Sequence, residues 1–382
     1  MKEPKLRFKA DDGSDFPDWE EKKLGDMFSI SAGGDIDKNN SSKEKSCSYP
    51  YPVYANALMN DGLYGYANYF KVDGDTFTVT GRGDVGYAVA RHCKYVPIVR
   101  LLVCRPKEND NVDFFAEQVN CARIFIESTG VPQLTAPQLA VIKLLRPSLP
   151  EQQKIADFLS TIDTIIEKQR AMVSAWEERK KGVMQKLFSQ EVRFKADDGS
   201  DFPDWEEKRL GDMVEFINGR AYKQDELLAS GKYIVLRVGN LFTNDSYYYS
   251  DLELDEDKYI EDGNLIYAWS ATFGPKIYHG DKCIYHYHIW KLKFDENAIS
   301  KMFLNYYLQH DVEKIKSKRT GGTMVHITKN AMEHRELEFP SLSEQQKIAD
   351  CLSALDTVIQ KQKETLEKWQ ELKKGLLQQM FV

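Results

Sequence analysis

The sequence predicts an α+β protein: two globular modules with mixed, curved sheets, joined by two long helices that pair as an antiparallel coiled coil with pseudo-two-fold symmetry. Two internal repeats and a heptad seam carry this expectation. Residues 7–27 read RFKADDGSDFPDWEEKKLGDM, and residues 193–213 repeat them with only Lys23 replaced, by Arg209. A second repeat pairs residues 147–188 with 340–381, identical at 24 of 42 positions. The blocks between the repeats, 28–146 and 214–339, look unrelated except near their ends, where Gln133-Leu134-Thr135 lines up with His326-Ile327-Thr328. A duplication left to drift would have diverged throughout its length. The economical reading is that the constant parts face something common and the divergent parts face two different things.

Each second repeat begins with a helix signal. Ser148-x-x-Glu151 and Ser341-x-x-Glu344 have the spacing of a capping box, in which hydroxyl and carboxylate satisfy first-turn amides. Beyond it, Ile155, Leu159, Ile162, Ile166, Gln169, Val173, Trp176, Lys180, Val183 and Leu187 alternate four- and three-residue spacing. Ile348, Leu352, Leu355, Ile359, Gln362, Leu366, Trp369, Lys373, Leu376 and Met380 repeat the pattern. Such a seam predicts helix pairing, with the polar Gln and Lys layers fixing register. The pairing residues singled out are Ile155, Leu159, Ile162, Ile166 and Trp176 with Ile348, Leu352, Leu355, Ile359 and Trp369. A helix of 38 residues is at most about 57 Å long.

Within the modules, strands are expected at 77–80, 98–103, 233–236, 265–267 and 288–294, and helices at 114–125 and 299–315. The segments 7–27 and 193–213 are turn-rich, and Trp19 and Trp205 are expected to anchor them. The domain boundaries follow as 1–146, 147–190, 191–339 and 340–382.

Hydrophobic residues at 42% and charged residues at 29% are globular values. There is no run of ~18 apolar residues and the start, MKEPKLRFKADDGSDF, holds no apolar signal core, so a cytoplasmic protein is expected. The six cysteines show no CxxC pair and read as reduced thiols. The net charge of −7 argues against a nucleic-acid ligand until it is divided by region. Block 28–146 holds 13 Lys+Arg against 12 Asp+Glu, block 214–339 holds 16 against 19, and much of the acid lies in the repeated segments. Binding of an anionic polymer would therefore rest on a few placed cations.

Catalytic signatures are missing from the sequence. There is no phosphate loop and no G-x-G-x-x-G behind a strand, and the Gly81–Gly86 run reads as a turn. Pro-Asp-Trp-Glu-Glu-Lys at 17–22 and 203–208 is too compact for a two-strand nuclease site. His286 and His288 share one strand face without a third ligand, so no metal site is expected.

With EQQKIADFLSTIDTIIEKQ and EQQKIADCLSALDTVIQKQ alternating with divergent blocks, the chain resembles the specificity subunit of type I restriction–modification enzymes. The W-E-E-K-K-L-G-D openings and the approaches VPQLTAPQLAVIKLLRPSLPEQQKIA and GTMVHITKNAMEHRELEFPSLSEQQKIA are similar to that family over essentially the whole chain. The resemblance implies two target recognition domains, each reading half of a split, asymmetric double-stranded DNA sequence. It also implies helices that act as spacer and dock two modification subunits, which carry S-adenosylmethionine, and restriction subunits that use ATP and Mg. No cofactor and no catalytic residue is expected in this chain. A coiled-coil adaptor that binds only proteins is the alternative.

Direct readout needs Arg, amide or hydroxyl groups on a rigid element. The candidates are Tyr54, Asn56, Arg82, Asp84 and Gln133 in the first module. In the second they are Arg237, Asn240, Trp269, Ser270, Thr272, Thr323 and His326.

Overall fold

The computed structural model describes residues 4–122, 124, 133–270, 273–317 and 327–381. The chain divides into two compact units, one of residues 1–171 with 364–382 and one of residues 172–363. The two long helices, Leu149–Phe188 and Leu342–Phe381, each contribute to both units.

In the first unit the start of one long helix packs on the end of the other, so that Ile155, Leu159 and Met380 share a core. In the second unit Leu187 joins Ile348 and Leu352 in the same way. The pairing is therefore antiparallel in each unit. Ile162, Ile166 and Ile359 are also buried, whereas Trp176, Leu355 and Trp369 are half-buried. The lysine layers turn out to be ion pairs: Lys373 meets Asp163 at 2.9 Å in the first unit, and Lys180 meets Asp356 at 2.6 Å in the second. A charged partner at one depth of an apolar seam penalises every other register.

Both divergent blocks fold to one topology. The first unit holds a sheet ordered Phe28–Ala32, Leu102–Pro106, Thr76–Val79, Ala88–Arg91, and the second a sheet ordered Val214–Asn218, Ile289–Phe294, Leu265–Ala268, Gly274–Ile277. Each unit adds a second four-stranded sheet with one parallel pair: Tyr51–Tyr54 beside Val96–Pro97, and Tyr233–Leu236 beside Cys283–Tyr285. The sheets are thus mixed. Gly33 and Gly219 occupy one position in this plan, since a Cβ on either would meet backbone atoms of Pro97 at 2.7 Å or Tyr285 at 2.3 Å. The apparent lack of relation between the blocks is a statement about side chains only. The expected 98–103 strand is corrected: Val96–Pro97 and Leu102–Pro106 belong to different sheets, and Val99 and Arg100 between them turn the chain in the left-handed region. The helices expected at 114–125 and 299–315 are Val112–Cys121 and Lys301–Ser317.

The capping-box expectation is also corrected. Glu151, fully buried, takes a bidentate bond from Arg7 (Nε 3.0 Å, Nη2 2.9 Å) and one from the Trp19 indole (2.9 Å). Glu344 takes the same three from Arg193 and Trp205. Ser341 accepts from the Glu344 amide at 3.4 Å, whereas the Ser148 hydroxyl is buried without a partner. The neighbouring glutamines serve the modules: Gln152 accepts from the Asn111 amide and Gln345 from the Ser300 amide, each just before a module helix. Lys154 and Lys347 donate to the carbonyls of Lys9 and Lys195. The two repeated segments therefore face each other, which accounts for their sameness without an outside partner.

Candidate nucleic-acid interface

In the first unit, five stretches of chain are tied by hydrogen bonds. The Asn56 amide donates to the Val99 carbonyl and accepts from the Gly81 amide at 2.7 Å. The Leu134 amide donates to the Gly81 carbonyl, and Arg82 reaches Gln133 at 3.3 Å. The Ile98 amide donates to Tyr54, and the Val99 amide to Gly34. Tyr54, Asn56, Arg82 and Gln133 are thereby gathered into one tip, with Asp84 exposed on the same turn as Arg82. Their roles differ. Tyr54 lies under the Arg91 guanidinium at 3.7 Å, and both ends of the Asn56 amide are engaged by backbone. Arg82 keeps an exposed guanidinium.

The second unit builds its tip from the same backbone bonds. His286 donates to Leu236, Tyr287 to Arg220 and Ile327 to Trp269, matching Ile98, Val99 and Leu134 of the first. Trp269 stands where the first unit has Gly81, and its indole donates to the Tyr287 carbonyl at 2.8 Å. That carbonyl corresponds to Val99, so an indole here holds the turn that an asparagine holds there. Asn240 accepts from the Arg237 amide and donates to Ser246, closing the short helix Val238–Phe242. Arg237 is exposed over the Tyr248 ring at 5.2 Å, while Ser270 is buried. Thr272, Thr323 and His326 lie outside the described residues.

Electrostatically the tips differ. Burial, then His288 and Arg237, push the His286 pKa down to about 4, so its imidazole is neutral at physiological pH. Its ring lies 4.3 Å from Tyr287 and 4.8 Å from His288, and Trp269 meets His288 edge-on at 4.8 Å. The second tip is thus a ring cluster with Arg237 at its edge. The first carries two exposed arginines, Arg82 and Arg100. Sequence reasoning missed Arg100 and Tyr287, because a strand spanning 98–103 hid the turn at Arg100. The alternation of His286 and His288 was the available signal, and it reads as a strand face until the turn is seen.

Among the described residues no group of three or more His, Cys, Asp or Glu could hold a metal ion. No helix there is long and apolar enough to cross a membrane. Open clefts of about 780 and 940 Å³ in the first unit lie along the long helices, and the first of them reaches Val85–Tyr87, beside the turn that carries Arg82 and Asp84.

A family described as the type I restriction modification DNA specificity domain matches residues 17–173 and 203–368. The type I restriction enzyme MjaVIII specificity subunit of Methanocaldococcus jannaschii is 28% identical over 266 residues, 63% of this chain and 62% of that protein. The putative MjaX specificity subunit of the same organism is 25% identical, over 94% of this chain and 93% of its own length. The crystal structure of a type I restriction–modification S subunit from M. genitalium superposes with a TM-score of 0.59 at 16% identity, covering 100% of this chain and 99% of that one. A chain from a structure of type I R-M complex assembly and conformational transition gives 0.58 at 17% identity, over 96% and 98%. At those identities the likeness concerns the fold.

Proposed function

The chain belongs to the type I restriction modification DNA specificity family, and from that premise we propose that it is the non-catalytic subunit that reads a bipartite, asymmetric DNA target. Each unit presents its tip to one half of the target. The long helices act as spacer and docking surface for two modification subunits. Those subunits supply S-adenosylmethionine and methyl transfer, and restriction subunits with ATP and Mg add cleavage. The observation that carries the reading is the pairing of one backbone plan with two unlike sets of tip side chains. Identical placement with different chemistry is what two readers of different base sequences require. Arg82 and Arg100 serve the first half, and Arg237 with the Trp269–Tyr287–His288 rings the second.

The test is a block exchange. Residues 28–146 are replaced by the corresponding block of another family member, and methylated positions are mapped in cells that hold the modification subunit. One half of the methylated sequence should change and the other persist. Change in both halves, or in neither, would refute the assignment of one unit to one half.

A further inference from the structure

The turn at 98–101 is the most unusual piece of backbone in the first tip. Val99 has φ 55° and Arg100 φ 65°, two consecutive non-glycine residues in the left-handed region, one of them β-branched. Neither Tyr287 nor His288, at the same place in the second unit, has a positive φ. Strained backbone persists only where its surroundings hold it, and it gathers at functional positions. Here three bonds hold it: the Val99 amide to Gly34, the Arg100 amide to Gly33 at 3.2 Å, and the Asn56 amide on the Val99 carbonyl. The result is an Arg100 side chain that is exposed and makes no hydrogen bond or ion pair with the described residues. By contrast Arg82 is already bonded to Gln133, and Arg91 is largely buried beside Tyr54.

From this geometry we infer that Arg100 is a specificity-determining residue of the first unit, and that it reads a guanine. The inference rests on the DNA-reading proposal above. An unpaired guanidinium carried on a held turn can offer two parallel N–H donors, and among base edges guanine offers the matching pair of acceptors, O6 and N7. Phosphate can accept the same fork, but a contact to phosphate has no need of a turn held in a rare conformation. A contact to a base edge does, because a small change in the direction of the fork exchanges one base for another. The second unit puts a tyrosine and a histidine at this position, so its half of the target is read there by rings and not by a guanidinium.

Full-length chain assembled with its modification subunits is bound to a pool of random duplex DNA, and bound sequences are compared for wild type, Arg100→Ala, Arg100→Gly and Arg105→Ala. Arg100→Gly removes the same side chain while relaxing the left-handed backbone, which separates a lost contact from a damaged turn. Arg105 is exposed on the adjoining strand and serves as control. Wild type and Arg105→Ala should select the same two-part sequence. Both Arg100 variants should lose preference for guanine at one position of one half by about tenfold or more, with the other half intact. A uniform loss across all sequences would mean a phosphate contact, and unchanged selection would mean no contact; either overturns the inference and leaves the two-unit reading standing. If wild type selects no sequence at all, the reading itself fails and the inference with it.

Discussion

The two tips hold one turn by different means. In the first unit the side-chain amide of Asn56 grips the Val99 carbonyl, and in the second the Trp269 indole grips the corresponding carbonyl of Tyr287. The tip of one presents two guanidinium groups, that of the other a ring cluster with Arg237 at its edge. Below the tips the units are nearly interchangeable. Arg7 and Trp19 bind Glu151 as Arg193 and Trp205 bind Glu344. Even the chain path agrees: the Leu6 amide donates to the Gln379 carbonyl as the Val192 amide donates to Lys186. The second of these bonds closes a covalent turn and the first joins two distant stretches of sequence. The difference teaches that sameness is spent on joints and variety on what the joints carry.

The largest test of that comparison is at the joints. Arg7→Met and Arg193→Met each leave a buried carboxylate without its guanidinium, a loss on the order of 3–5 kcal/mol, lessened by the remaining indole donor. Because the contacts match, the two substitutions should destabilise their own units by nearly equal amounts. Denaturant unfolding followed by hydrogen exchange in each unit measures both. A strong effect for one and none for the other would show that the joints are not equivalent.

These joints also mark where the sequence stopped being legible. The seam was readable because its partners recur at fixed spacing within one helix, and Ile155, Leu159, Ile348 and Leu352 are buried. Arg7 and Glu151 lie 144 residues apart, so no local pattern joins them, and the strongest local rule assigned the glutamate to its own helix end. The common topology of the blocks was hidden for a related reason. A strand pairs through backbone, and backbone leaves little trace in side-chain identity beyond the close approach at Gly33 and Gly219. At the tips, Arg82, Gln133, Arg237 and Trp269 were singled out as groups able to contact base edges, while Arg100 was passed over because a strand was drawn through its turn.

A second test uses acid. His286 and His310, both in the second unit, have pKa values pushed down to about 4, in each case chiefly by burial. Their neutral forms are the ones that fit the fold, so the second unit is at full stability above the unfolded value of about 6.5. It should lose about 2 kcal/mol as pH falls from 7 to 5, after allowance for the partial exposure of His286. His310→Gln should flatten that dependence, read by exchange rates in Lys301–Ser317. An unchanged slope would remove His310 from the account. A smaller effect is expected at the first tip. Asn56→Ala frees the amide of the buried Gly81 and the carbonyl of the exposed Val99, at about 1 kcal/mol. Faster exchange should be confined to that tip; spread through the sheets would mean that Asn56 supports more than the turn.

The smallest effect has the opposite sign and belongs to the first unit. His92 bridges Asp75 through Nδ1 at 2.8 Å and Asp113 through Nε2 at 3.0 Å, joining the edge of Thr76–Val79 to the first turn of Val112–Cys121. Only the imidazolium can donate from both nitrogens. Burial alone would lower the pKa, but the two carboxylates outweigh it and the pKa is raised. A raised pKa means that the contribution is complete below about 6.5 and is lost as pH rises through the folded value above it. The ring is 53% exposed, so screening limits the contribution to a few tenths of a kcal/mol. Exchange in Val112–Cys121 should therefore quicken slightly in its pH-corrected rate between pH 6 and pH 8. High salt should erase the change, and so should His92→Gln. If the dependence survives in His92→Gln, another group controls the first unit near neutrality, and the opposed response of the two units to acid does not trace to their histidines.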